Sequence, residues 1–182
     1  GETEEYTLKR AVVNIPDLEY KMLKDNMGYI WLYQFDENSD KNFGNALNDL
    51  KEQGMEGLII DLRGNPGGLL DSCVNIADML LPEGLITYRE DRAGNREDYK
   101  SKASHLDIPL VVLVDGNSAS ASEVLSGAIQ DYGVGTIIGK TTYGKGVVQT
   151  LKPFKDGSGL KFTNSKYFTP KGRDIHEKGV VP

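Results

Sequence analysis

The chain has 182 residues, 38% hydrophobic and 26% charged, which bounds it to one globular domain long enough to bury a core. A net charge of −6 without a Lys/Arg cluster argues against a nucleic-acid partner. A single cysteine, Cys73, excludes an internal disulfide, and no apolar run approaches the roughly 18 residues a bilayer crossing needs.

In chain order, residues 5–13 (EYTLKRAVV) read as an isolated strand, and residues 14–27, broken by Pro16, as a linker. GYIWLYQF (28–35), rich in aromatic and β-branched residues, reads as a strand. Ser39 then opens a helix whose apolar residues Phe43, Ala46, Leu47 and Leu50 share one face, with Gly54 as its stop. GLIIDL (57–62) is almost wholly apolar, as a strand buried on both faces would be. After the turn RGNPGG (63–68), Leu70, Cys73, Val74, Ala77, Leu80 and Leu81 stripe a second helix, with Cys73 as a buried core thiol. GLITYRE and EDYKS flank RAGN as a hairpin. PLVVLVD (109–115) is a strand, SASASEVLSGAIQDYG (118–133) a helix ended by Gly133, and VGTIIG a strand. VVQTLKPF and LKFTNSKYF close the chain as a second hairpin around KDGSG. Strands alternating with helices predict an α/β fold with mostly parallel strands, crossover helices and added β-hairpins.

GKTTYGK (139–145) fits the start of a phosphate-cradling loop, but Gly146 stands where Ser or Thr should reach a magnesium ion. Such a loop must also enter a helix, whereas Lys145 runs into a strand, so its role lies elsewhere. His105 and His176 lack partners at metal-ligand spacing; either could serve a Ser-His-Asp set, but both read as solvated loop histidines. Three features follow three predicted strands, where sites form in α/β sheets. They are the glycine turn after GLIIDL, the run Ser118-Ala-Ser120-Ala-Ser122-Glu123, and Lys145. On local pattern alone Ser120 with Glu123 is a capping box, and Ser118 or Asn117 could cap too. A serine nucleophile with a lysine base would need Lys145 neutral, and burial between Gly144 and Gly146 is the expected cause.

DLRGNPGG, NSASASEVLSGAIQDYG and GKTTYGKGVVQ, in this order and spacing, closely resemble the core of the carboxyl-terminal processing peptidases, tail-specific serine proteases with a Ser/Lys dyad. The resemblance runs from about Gly28 to the terminal GRDIHEKGVVP. It implies a crotonase/Clp-protease-like fold for residues 28–182, with Ser120 as nucleophile, Lys145 as general base and Gln149 orienting the lysine. Ala121 and the pair Gly67 and Gly68 would supply the oxyanion hole, and no cofactor or metal is implied. Substrates would be proteins bound by their C-terminal tails, outside the cytoplasm, in a parent that could be membrane-anchored or dimeric. Family members carry a PDZ domain before this core, so residues 1–13 would be its last strand and the chain an excised piece. Two rivals stand beside this reading. One is a latent core that binds peptide along a sheet edge without turnover. The other, a penicillin-recognising enzyme suggested by Ser158-Gly-Leu-Lys161, lacks K-T-G and its motif lies in a hairpin turn.

Overall fold

The structure, a computed structural model, describes residues 3–10, 15–102 and 106–182. Residues 3–10 form no strand; residues 11–13 of the expected first strand, and His105, lie outside the described residues. The expected linker contains strand β1 (Leu18–Met22), which pairs antiparallel with β2 (Met27–Leu32). Its three central residues are exposed, so no apolar alternation marked it. Helix α1 (Ser39–Glu52) buries Phe43, Ala46, Leu47 and Leu50 and ends before Gly54, whose φ of +86° a side chain would strain.

Strand β3 (Gly57–Asp61), helix α2 (Leu70–Leu80) and the hairpin of β4 (Gly84–Asp91) with β5 (Arg96–Ser101) follow. Strand β6 (Leu110–Val114), helix α3 (Ala121–Tyr132) and β7 (Thr136–Gly139) come next, and β8 (Val147–Pro153) with β9 (Gly159–Phe168) closes the order. One sheet has the order β1-β2-β3-β6-β7, parallel from β2 onward; the other, β5-β4-β9-β8, is antiparallel.

The parallel strands advance in one direction across the sheet. Right-handed crossovers therefore put all three helices on the same face. Ile30, Leu32, Leu58, Ile60, Val112 and Val114 are buried there against Phe43, Leu50, Ile76, Leu125 and Ile129. The opposite face carries Trp31, 39% exposed, and Ile138, 49% exposed. This corrects the expectation for GLIIDL: Ile59 is only part-buried, and β6 alternates between buried and part-buried residues. A parallel sheet covered on one face needs only one continuous apolar row. The antiparallel sheet packs β4 and β5 over α3 and α2, while the β8–β9 hairpin projects outward with mostly exposed residues.

Candidate active site

The site forms at the C-terminal ends of β3 and β6, where their connections to α2 and α3 meet. Asp61, at the end of β3, is buried and accepts hydrogen bonds from Tyr29 at 2.7 Å and from the Arg63 N–H and guanidinium. Burial works against its charge, but the bonds from Arg63 and Tyr29 outweigh this and hold the carboxyl below its ordinary 3.8. Asn65, fully buried, clamps the glycine turn. Its Nδ2 donates to the Leu32 carbonyl at 2.8 Å, and its Oδ1 accepts the Gly67 N–H at 2.8 Å. The Asn65 carbonyl in turn accepts the Ala119 N–H at 3.0 Å and the Ser122 hydroxyl at 3.1 Å. The two connections are thus stitched together.

Asp115 makes the second stitch. Its Oδ1 accepts the N–H groups of Gly64 at 3.0 Å, Asn117 at 2.9 Å and Ser118 at 3.1 Å. Burial alone would raise this carboxyl, but these donors and the Ser118 hydroxyl pull it below 3.8. A folded-state value below the unfolded one contributes stability above pH about 4, lost as pH falls through the lowered value. Asp115→Asn should therefore flatten the acid limb of a urea-midpoint profile between pH 3 and 7. An unchanged limb would rule out Asp115 as its source.

The three serines take different roles. Ser118 is fully buried, its hydroxyl donating to the Leu62 carbonyl at 2.7 Å and accepting the Asp115 N–H at 2.9 Å. Ser122 is fully buried and committed to Asn65. Ser120 lies between them, part-exposed, with φ +57° and ψ −114°, a conformation that costs an L residue about 1–3 kcal/mol. It stands at the N-cap of α3, which starts at Ala121 rather than at Ser118 as expected. Ser120 and Glu123 hold the two ends of a capping box, yet Ser120 makes no side-chain cap hydrogen bond. The Glu123 N–H turns instead to the Ser120 carbonyl at 2.9 Å. The capping preference of the local pattern is therefore corrected: the helix is held by Glu123, and the Ser120 hydroxyl is left free.

Gly67 packs directly on this serine. A Cβ there would fall 2.8 Å from Ser120 Cβ and 2.9 Å from Ala121 N. At Gly68, with φ +146°, a Cβ would fall 2.1 Å from the Phe35 carbonyl oxygen. Gly68→Ala is expected to cost about 3 kcal/mol or more and to collapse any activity, because the displaced atoms are backbone. A urea midpoint within 0.5 kcal/mol (roughly) of the parent would contradict this. Since the Gly67 N–H is held by Asn65, the unpartnered donors beside Ser120 among the described residues are Gly68 N–H and Ala121 N–H.

Glu123 is the residue that sequence reasoning placed only as a cap. Fully buried, it accepts four hydrogen bonds. Oε1 takes the Thr142 hydroxyl and the Gly144 N–H, both at 2.6 Å; Oε2 takes the N–H groups of Ser120 and Lys145, both at 2.8 Å. One oxygen thus holds the backbone nitrogens of Ser120 and Lys145 no farther apart than the two bond lengths combined. The only hint in the sequence was the invitation of an acidic residue three places after Ser120. The C-terminal segment clamps the lysine loop from the other side. The Val180 N–H donates to Thr142 Oγ1 at 2.7 Å and the Glu177 N–H to the Gly144 carbonyl at 2.8 Å. His176 Nδ1 lies 3.3 Å from that same carbonyl, so His176 is part of this clamp rather than a freely solvated residue.

Lys145 departs from expectation. Its backbone is fixed, but its side chain is exposed rather than buried, and among the described residues no hydrogen bond joins it to Ser120. Lys145 lies before β8, and a register shift between Val148 and Gln149 breaks the alternation that would align it with Gln149. Gln149 is likewise exposed. The glycines on either side serve backbone approach, not burial: a Cβ on Gly146 would lie 2.6 Å from the His176 nitrogen.

A family model described as "Peptidase family S41" matches residues 26–182. The chain belongs to peptidase family S41. It is 42% identical over 184 residues to a carboxyl-terminal-processing protease of Synechocystis sp., covering 98% of this chain and 43% of that relative. A carboxyl-terminal-processing protease of Picosynechococcus sp. is 43% identical over 159 residues, covering 87% of this chain and 38% of the relative. Among solved structures, a photosystem II D1 C-terminal processing protease superposes with a TM-score of 0.85 at 37% identity, covering 93% of this chain and 48% of that one. The α/β fold is that of S41 proteases, and this S41 chain spans less than half the length of these relatives. No helix among the described residues is long and apolar enough to cross a membrane.

Proposed function

We propose that this chain is the core of a serine peptidase that cuts polypeptides by acyl transfer from Ser120, with Lys145 as general base. The observation that carries the reading is the difference among the serines. Ser118 and Ser122 are buried and bonded, while Ser120 holds a free hydroxyl in a strained conformation beside two unpartnered N–H groups.

In the proposed reaction, neutral Lys145 Nζ takes the Ser120 Oγ proton as Oγ bonds to the scissile carbonyl carbon. The N–H groups of Ala121 and Gly68 receive the oxyanion. The C–N bond breaks as the Lys145 ammonium protonates the leaving amine. Water, deprotonated by Lys145, then hydrolyses the acyl-serine to a carboxylate and restores the hydroxyl. A lysine ordinarily titrates near 10.4, so neutrality at pH 7 requires disfavouring its charge by about 4 kcal/mol. Lys145 is exposed in the free chain, so bound substrate, by covering the amine, would supply that desolvation. Gln149 would orient the amine once it is covered.

The same exposure favours a second reading, a latent core that binds peptide and turns over only when other parts of a longer protein close the site. Hydrolysis of casein by the chain, beside Ser120→Ala and Lys145→Ala, tests both. Cleavage abolished by each substitution supports the dyad, and cleavage surviving Ser120→Ala sinks it. An inert parent chain supports latency. By likeness to the relatives, the substrates we assign are proteins trimmed near their C-termini outside the cytoplasm, and residues 1–13 the last strand of a PDZ domain. Homodimer formation and a membrane anchor belong to the same family-based reading.

A further inference from the structure

Two large apolar side chains stand in solvent on the loops that hold Ser120. Leu69, 48% exposed, follows Gly68, the free N–H donor. Tyr143, 67% exposed, precedes Gly144 and Lys145, and its N–H is fixed to the Ser118 carbonyl at 3.0 Å. Neither is placed by fold requirements. Leu69 is the N-cap of α2 without a side-chain cap bond, and Tyr143 lies outside any strand. Their backbones are nevertheless rigidly tied: Leu69 N–H to the Phe35 carbonyl at 2.7 Å, and the residues after Tyr143 to Glu123. Solvent-exposed apolar groups on fixed backbone beside a reactive hydroxyl are what a side-chain-selecting subsite requires.

Resting on the peptidase reading above, we infer that Leu69 and Tyr143 select the substrate residues on the two sides of the scissile bond. The carbonyl that receives Gly68 N–H brings its own residue's side chain to Leu69, on the acyl side. The amine that Lys145 protonates leaves past Tyr143, so the residue following the cut meets the tyrosine ring. Both subsites take apolar or aromatic side chains and disfavour carboxylates. A hydrophobic subsite of this kind discriminates by about 10- to 200-fold.

The test uses the whole chain and separates this inference from the peptidase reading by measuring binding as well as cleavage. Two fluorescent peptides ending in a free carboxylate, one with C-terminal Leu and one with C-terminal Asp, are titrated onto Ser120→Ala by anisotropy. The Leu peptide should bind about tenfold tighter, and Leu69→Asp in that background should erase the ratio while Leu69→Met keeps it. In the cleavage arm, mass-spectrometric mapping of casein fragments should show Leu69→Asp changing the residue before the cut and Tyr143→Ala the residue after it. An equal Leu/Asp ratio in Ser120→Ala, or a ratio untouched by Leu69→Asp, overturns the inference whether or not the chain cleaves. A cleaving chain whose cut-site residues ignore both substitutions also overturns it. If the chain does not cleave but the binding ratio responds to Leu69, the subsite stands and the failure is that of turnover alone.

Discussion

Ser120→Gly is expected to make the chain more stable while removing all hydrolysis that depends on Ser120. At φ +57° and ψ −114° the serine carries a strain of about 1–3 kcal/mol, which glycine does not feel. Against this, glycine adds unfolded-state entropy of about 0.5–1 kcal/mol. Strain relief should win, leaving a gain of about 1 kcal/mol, or about 2–4 °C in Tm for a chain of this size. Ser120→Ala keeps the strain and loses no cap bond, so its stability should stay within about 0.5 kcal/mol of the parent. Both variants should lower turnover by about a millionfold, the order seen when a serine nucleophile is deleted. Thermal melts of the three proteins decide the structural half. A clear loss of stability in Ser120→Gly would mean that the serine is held for the fold, and the case for a nucleophile would weaken with it.

Glu123→Ala should be the most damaging single change in the site. Four donors, from Thr142, Gly144, Lys145 and Ser120, converge on this fully buried carboxylate. Removing one partner of a buried polar network leaves the others desolvated and unpaired, and a loss of about 3–5 kcal/mol is expected. Glu123→Gln is the sharper experiment, since it preserves volume. Its amide offers one acceptor oxygen and turns an NH₂ group toward donors, so one pair of contacts becomes repulsive. Either the Ser120–Lys145 pair or the Thr142–Gly144 pair must then move. A displacement of about 1 Å costs on the order of a hundredfold in rate, so Glu123→Gln should lose at least that much turnover while still folding. Urea denaturation and casein hydrolysis, measured on the same preparation, separate the two effects. A folded Glu123→Gln with parental activity would show that the carboxylate does not align the pair.

The chain's sequence determined most of its elements, because the signals for them are local. Phe43, Ala46, Leu47 and Leu50 could share a face only on a helix, and Gly54 and Gly133 stop helices by adopting positive φ. The alternation of strands and helices sufficed for the α/β class, and the three motifs for the family. What long-range geometry controls was not legible. β1 exists only because β2 offers it an edge, its own residues being exposed and without an apolar row. The one-sided covering of the parallel sheet follows from strand order, which no stretch of sequence carries. The roles of Ser118, Ser120 and Ser122 were undecidable from S-A-S-A-S-E, since all three share one chemistry. They separate only when Leu62 and Asn65, more than 50 residues away, take the outer two hydroxyls. The expected burial of Lys145 failed for the converse reason. Flanking glycines report how closely the backbone approaches the C-terminal segment, whereas the environment of a long side chain is set by what is packed around it in space.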